Sequence, residues 1–115
     1  MRPAELDNAA VQELIDVGGP ELFATLVDDF APFAISTVET ISDGATAGDC
    51  AVVQAASHSM KSASATLGAG ELSAIAAHLE SLSKGQDIAA VRKLLPEFEQ
   101  AVDAAQIALI AGSGR

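Results

Sequence analysis

Two side chains one helical turn apart, His58 and Lys61, are where this chain could do chemistry. An imidazole that is largely uncharged at neutral pH is a nucleophile. An ammonium group three residues on would meet an anion held at that ring, because such residues are neighbours on a helix. Wound as an α-helix at about 100° per residue, the stretch 51–69, AVVQAASHSMKSASATLGA, puts Val52, Val53, Ala56, Met60, Ala63 and Leu67 on one face. His58 points almost directly away from them. Around it fall Ala51, Gln54, Ala55, Lys61, Ser62, Ala65 and Ala69. Apart from Gln54 and Lys61 these are all small, so a large ring stands on a low surface that another macromolecule can approach.

The charges reinforce this reading. None of the sixteen acidic residues falls between Asp49 and Glu71, and Lys61 is the only cation between Arg2 and Lys84. An anion at His58 would meet a positive partner and no carboxylate from the same helix. The default for a lone helical histidine is an ordinary solvated side chain. The small-residue face, the acid-free window and Lys61 weigh against that default.

The same residues carry a resemblance. His58-Ser59-Met60-Lys61-Ser62-Ala63, followed by Leu67-Gly68-Ala69, resembles the signature of the histidine-containing phosphotransfer (HPt) domains of two-component signalling. That signature is a histidine, a variable residue, Leu or Met, Lys, Gly, small residues, and then an apolar-Gly-Ala step. His58, Met60, Lys61, Leu67, Gly68 and Ala69 match it, and Ser62 stands where the family usually has Gly. The order of helical segments is similar over nearly the whole chain. The resemblance implies a phosphorelay carrier that accepts a phosphoryl group on His58 from a receiver-domain aspartate and passes it to another receiver. The catalytic parts, Mg²⁺ among them, would belong to the receiver; the chain would bring no cofactor and would not be a self-sufficient enzyme.

Within that role Lys61 would stabilise the phosphoryl group as a point charge. Gln54, one turn away on the other side, is placed to hydrogen-bond its oxygens. Ser62 could donate to the phosphate or bond back to the helix carbonyl four residues earlier. It also adds bulk under a docking partner. Docking would use the small positions Ala51, Ala55, Ala65 and Ala69, with any partly exposed edges of Phe30 and Phe33. Receivers or a hybrid histidine kinase are the expected partners, and a monomer is the expected state.

The elements that must position these groups follow from the apolar pattern. Leu6, Ala10, Val11, Leu14 and Ile15 predict a short first helix over 5–17, stopped by Gly18-Gly19. Pro20 suits the first turn of a second helix over 20–41, whose apolar side is Leu22, Phe23, Leu26, Val27, Phe30, Ala34, Val38 and Ile41. The pattern continues in phase past Pro32, which predicts a kink rather than a break. Residues 42–48 read as a small-residue loop, with Asp49 as N-cap of the central helix. Gly68 and Gly70 turn the chain into a helix over 71–83 with Leu72, Ile75, Ala76, Leu79 and Leu82 inward, ended by Lys84-Gly85. Asp87 caps a last helix to about residue 110, kinked at Pro96, with a stripe of Ile88, Val91, Leu95, Phe98, Val102, Ala105 and Leu109. Nothing alternates with period two over a useful length. The expected fold is all-α: an antiparallel four-helix bundle, with the short N-terminal helix as a lid.

Composition narrows the alternatives. At 115 residues the chain is read as one domain, 1–115, with a disordered tail over 112–115. A net charge of −10 and the lack of Trp and Tyr argue against nucleic acid and anionic membranes. No apolar run approaches the roughly 18 residues of a membrane span, and no signal-peptide segment opens the chain. Cys50 is alone, which excludes an internal disulfide and fits a reducing cytoplasm. Two distant histidines and that cysteine do not make a zinc site, and no glycine-rich nucleotide cradle is present. His78 reads as a surface or boundary residue on a helix that also carries Glu71 and Glu80, and Asp28-Asp29 as a solvated patch. Two rival readings remain: a helical bundle that binds a partner through the same face without chemistry, and a piece of a larger hybrid kinase, against which Met1 is weak evidence.

Overall fold

The structure, a computed structural model, describes residues 4–114. Four helices account for nearly all of them: α1 (Asn8–Ala47), α2 (Cys50–Thr66), α3 (Gly70–Lys84) and α4 (Ile88–Gly112). Each packs on the next in an up-down order, and α4 closes back onto α1. The core is built from Phe23, Ile41, Val53, Met60, Leu72, Leu79, Val91, Phe98 and Leu109, all at most 2% exposed. At about 25 cal/mol per Å² of apolar surface removed from water, these large side chains stabilise the bundle far more than the many alanines between them.

The short first helix and the second are a single bent element. The Gly18-Gly19 stop becomes a hinge at Gly19, whose φ of 77° and ψ of 176° lie far from helical values. Pro20 then restarts the helix. Pro32 and Pro96 sit inside α1 and α4, and neither interrupts its helix. The segment before the hinge lies over the α2–α3 turn, where the Asp7 N–H donates to the Gly68 carbonyl at 2.7 Å.

Residues 42–48 are not a loop. α1 runs through to Ala47, and Gly44 and Ala45 are buried. Small residues there serve a helix crossing: a Cβ on Gly44 would come within 3.1 Å of Val52 and Val53 on α2. Gly48, at φ 73°, ends the helix, with its N–H on the Ala45 carbonyl and the Asp49 N–H on that of Gly44. From α4, Arg92 Nε donates to the Ala45 carbonyl at 2.8 Å and satisfies another helix-end acceptor.

Other boundaries follow the expected caps. Asp49 accepts from the Val52 N–H and Asp87 from the Ala90 N–H. At the end of α3 the left-handed residue is Gln86 (φ 61°), one position after the glycine that signalled the stop. Val52, expected inward, is 37% exposed, because Val53 takes the core position beside it. Gly112, placed in the tail by sequence, closes α4, and Ser113 caps it. The tail's Arg115 lies outside the described residues. Among those residues no helix is long and apolar enough to cross a membrane.

Candidate functional site

The Leu67-Gly68-Ala69 turn makes α2 and α3 antiparallel neighbours. Gly68 is required there twice over. Its φ of 82° is left-handed, and a Cβ would meet the Asp7 carbonyl oxygen at 2.9 Å. Ser57 and Ser64 on α2 and Ala76 and Ser83 on α3 are all fully buried, and side chains of that size allow the helices a close approach. The Ser73 hydroxyl adds a tie, donating to the Lys61 carbonyl at 3.0 Å.

That approach delivers a carboxylate to the outward face of α2. Glu80 Oε2 lies 2.8 Å from His58 Nδ1, and Oε1 lies 2.6 Å from Lys61 Nζ. Lys84 Nζ, one turn along α3, is 3.9 Å from Oε2. Exposure of the side chains differs sharply: 60% for His58, 35% for Lys61 and 9% for Glu80. The ring is therefore in solvent while the group that holds it is in the helix interface. The hydrogen bond from Lys61, then that from His58, keep the Glu80 carboxyl below the usual carboxylate range, against the opposing effect of burial. An ionised carboxylate only accepts hydrogen bonds. In the neutral ring this puts the proton on Nδ1 and leaves the lone pair on Nε2.

The acid-free window along α2 is consequently not acid-free in space. Glu80 was legible only as a neighbour of His78 on the same helix. The signal that could have found it is register: Glu80 falls four residues after Ala76, on the inward stripe, where an unpaired carboxylate is costly. His78, two residues earlier, is exposed and faces a groove with Leu82, Ala90, Lys93 and Leu94.

Of the other candidate residues, Gln54 is half-buried. With Ala51, Ala55, His58, Glu80 and Lys84 it lines an open depression of about 550 Å³. Ser62 and Ala65 are exposed on the same face. The Ser62 hydroxyl has no partner among the described residues, whereas Ser59 bonds back to the Ala55 carbonyl. Ala69 departs from expectation: it is 2% exposed, because the turn after Gly68 folds it into the core, and it cannot serve a docking surface. Phe30 is also buried, at 4%, and offers a visitor little. Phe33 is half-buried and packs on Phe30 with ring centroids 6.0 Å apart. Both border a shallow apolar groove of about 240 Å³ with Leu26, Asp29, Ala63, Thr66 and Leu67.

The geometry places an exposed histidine, held by a buried carboxylate, on a bundle surface. The Hpt domain family matches residues 25–108, so the chain belongs to that family, the histidine phosphotransfer carriers of phosphorelays. Its fold is similar to the crystal structure of histidine-containing phosphotransfer protein B (HptB) from Pseudomonas aeruginosa PAO1. The TM-score is 0.88 at 22% identity, covering 96% of this chain and 95% of that one. No curated protein sequence matches the chain.

Proposed function

We propose that His58 is the phosphoryl carrier, taking its load from an aspartyl phosphate on a receiver domain and giving it up to the aspartate of another. The observation that supports this most directly is the His58–Glu80–Lys61 cluster on an exposed face of small residues. The Nε2 lone pair forms the N–P bond as the bond from phosphorus to the receiver's carboxylate oxygen breaks, its electron pair staying with the carboxylate. The proton stays on Nδ1, and the positive ring that results is balanced by Glu80. Onward transfer is the same step in reverse on a second receiver. The leaving group is then a neutral imidazole, which makes the phosphoramidate reactive.

Phosphoryl transfer depends on in-line positioning and charge stabilisation. The receiver supplies its aspartate, Mg²⁺ and the alignment of the phosphoryl group. This chain supplies a nucleophile of fixed tautomer, the Lys61 ammonium, Gln54 and Ser62 at the rim of the site, and a platform at Ala51, Ala55 and Ala65. The Phe33 edge extends that platform over the apolar groove. The test is to mix the protein with a phosphorylated receiver and Mg²⁺. Acid-labile phosphate on the wild type, and none on His58→Gln, is the expected result. Equal labelling of the variant refutes the assignment.

A further inference from the structure

The Glu80 carboxylate gathers three cationic or hydrogen-bonding partners, and they are not held alike. Lys61 sits at 2.6 Å and His58 at 2.8 Å, both in hydrogen-bond contact with a side chain that is 9% exposed. Withdrawing Lys61 would leave a nearly buried carboxylate without its shortest charge partner, an expensive arrangement. Lys84 is different. It is 3.9 Å away, beyond hydrogen-bond range, and its side chain is 60% exposed. An i,i+4 pair of that kind is weakly held, and Lys84 can leave while Glu80 remains satisfied by the other two. It also lines the depression that His58 shares with Gln54 and Ala55, so it borders the space a phosphoryl group on Nε2 would enter.

We infer that Lys84 is a second phosphoryl-binding residue, swinging from Glu80 to the phosphoryl oxygens when His58 is loaded, while Lys61 stays committed to the carboxylate and offers only its remaining N–H groups. This rests on His58 being the carrier. It divides the labour that the sequence assigned to one lysine. Lys61 neutralises the group that orients the ring, and Lys84 meets the incoming charge. Lys84 is twenty-six positions from His58 and on another helix, so only the α2–α3 packing brings it there.

The decisive quantity is the equilibrium constant for phosphoryl exchange between a free receiver and free His58, read from label distribution at long times. A residue that only touches the docked receiver cannot move this constant, because the complex is not one of its end states. Lys84→Met is expected to shift it toward the receiver by about five- to tenfold at low salt. Lys84→Glu should shift it further, and Lys84→Arg should stay within about twofold of wild type, since a cation is retained. The shift should shrink at high salt. Lys93→Met, which removes an exposed lysine from the groove at His78, is the control and should match wild type. A circular dichroism melt of each variant confirms the fold. If the wild type is labelled and Lys84→Met has its equilibrium constant, Lys84 does not bind the phosphoryl group. If the wild type takes no label, the carrier assignment itself fails.

Discussion

The two histidines of this protein are both exposed, both on helices and only twenty positions apart, yet their surroundings have little in common. His58 has a buried carboxylate 2.8 Å from Nδ1 and a platform of alanines and serines around it. His78 looks onto Leu82, Leu94 and Lys93, with no acid among the groove residues. Glu80, two residues along from His78 on α3, turns inward and serves the other histidine. The two imidazoles are thus distinguished less by their own helices than by what the neighbouring helix presents to each ring.

The sharpest way to break this contrast is to exchange the roles. His58→Gln should remove phosphoryl uptake by at least about 10³-fold, to background, because among the described residues no second imidazole lines the depression. His78→Gln should leave uptake at the wild-type level in the same labelling experiment. Next in size is Glu80→Ala, expected to slow transfer by about 10²-fold, since the ring loses the partner that fixes its tautomer and orientation. Nitrogen NMR of the imidazole should then show both tautomers instead of a proton confined to Nδ1. Glu80→Gln should restore the single tautomer through its amide oxygen and recover part of the rate. A wild-type rate in Glu80→Ala would reduce the carboxylate to a packing residue.

Lys61→Ala should have a smaller effect, about tenfold on the transfer rate, because Lys84 still supplies a positive charge beside the ring. It should also raise the Glu80 carboxyl toward the usual carboxylate range, because the hydrogen bond from Lys61 is the largest cause of its depression. Carbon NMR of the labelled carboxyl reports that titration directly.

The smallest effect concerns acid stability. Glu80 is depressed in the folded protein, so its ionised form binds protons less readily there than in the unfolded chain. Its contribution is complete above the ordinary carboxylate range and is lost as pH falls through the depressed value. The difference in denaturant midpoint between wild type and Glu80→Gln should therefore be flat near neutrality and close in acid. A difference that widened in acid would contradict the assigned direction.

Much of this was legible without coordinates, for a clear reason. Apolar periodicity and end signals are local, so Asp49 and Asp87 could be placed as caps and Gly68 as a turn from their neighbours alone. The errors arose where local and tertiary preferences compete. Residues 42–48, SDGATAG, look like a loop because Gly, Ser, Asp and Thr are weak helix formers and no large apolar stripe runs through them, yet the crossing with α2 demands small side chains and turns them into helix. An ideal helical wheel puts Val52 inward and Ala69 outward; Val53 takes the core position beside Val52, and Ala69 lies past the end of α2, where the turn folds it inward.

The sequence by itself determined that four amphipathic helices would form, and that His58 and Lys61 would share an outward face cleared of bulk. It did so through spacings of three and four residues, which one helix is sufficient to express. Only the tertiary structure decided which carboxylate would hold the ring, that Lys61 would be tied to it, and that Lys84 would border the same depression. Those relations join residues nineteen to twenty-six positions apart. They depend on the rotation and closeness of α2 against α3, set by buried serines and alanines whose identities, read singly, say nothing about charge.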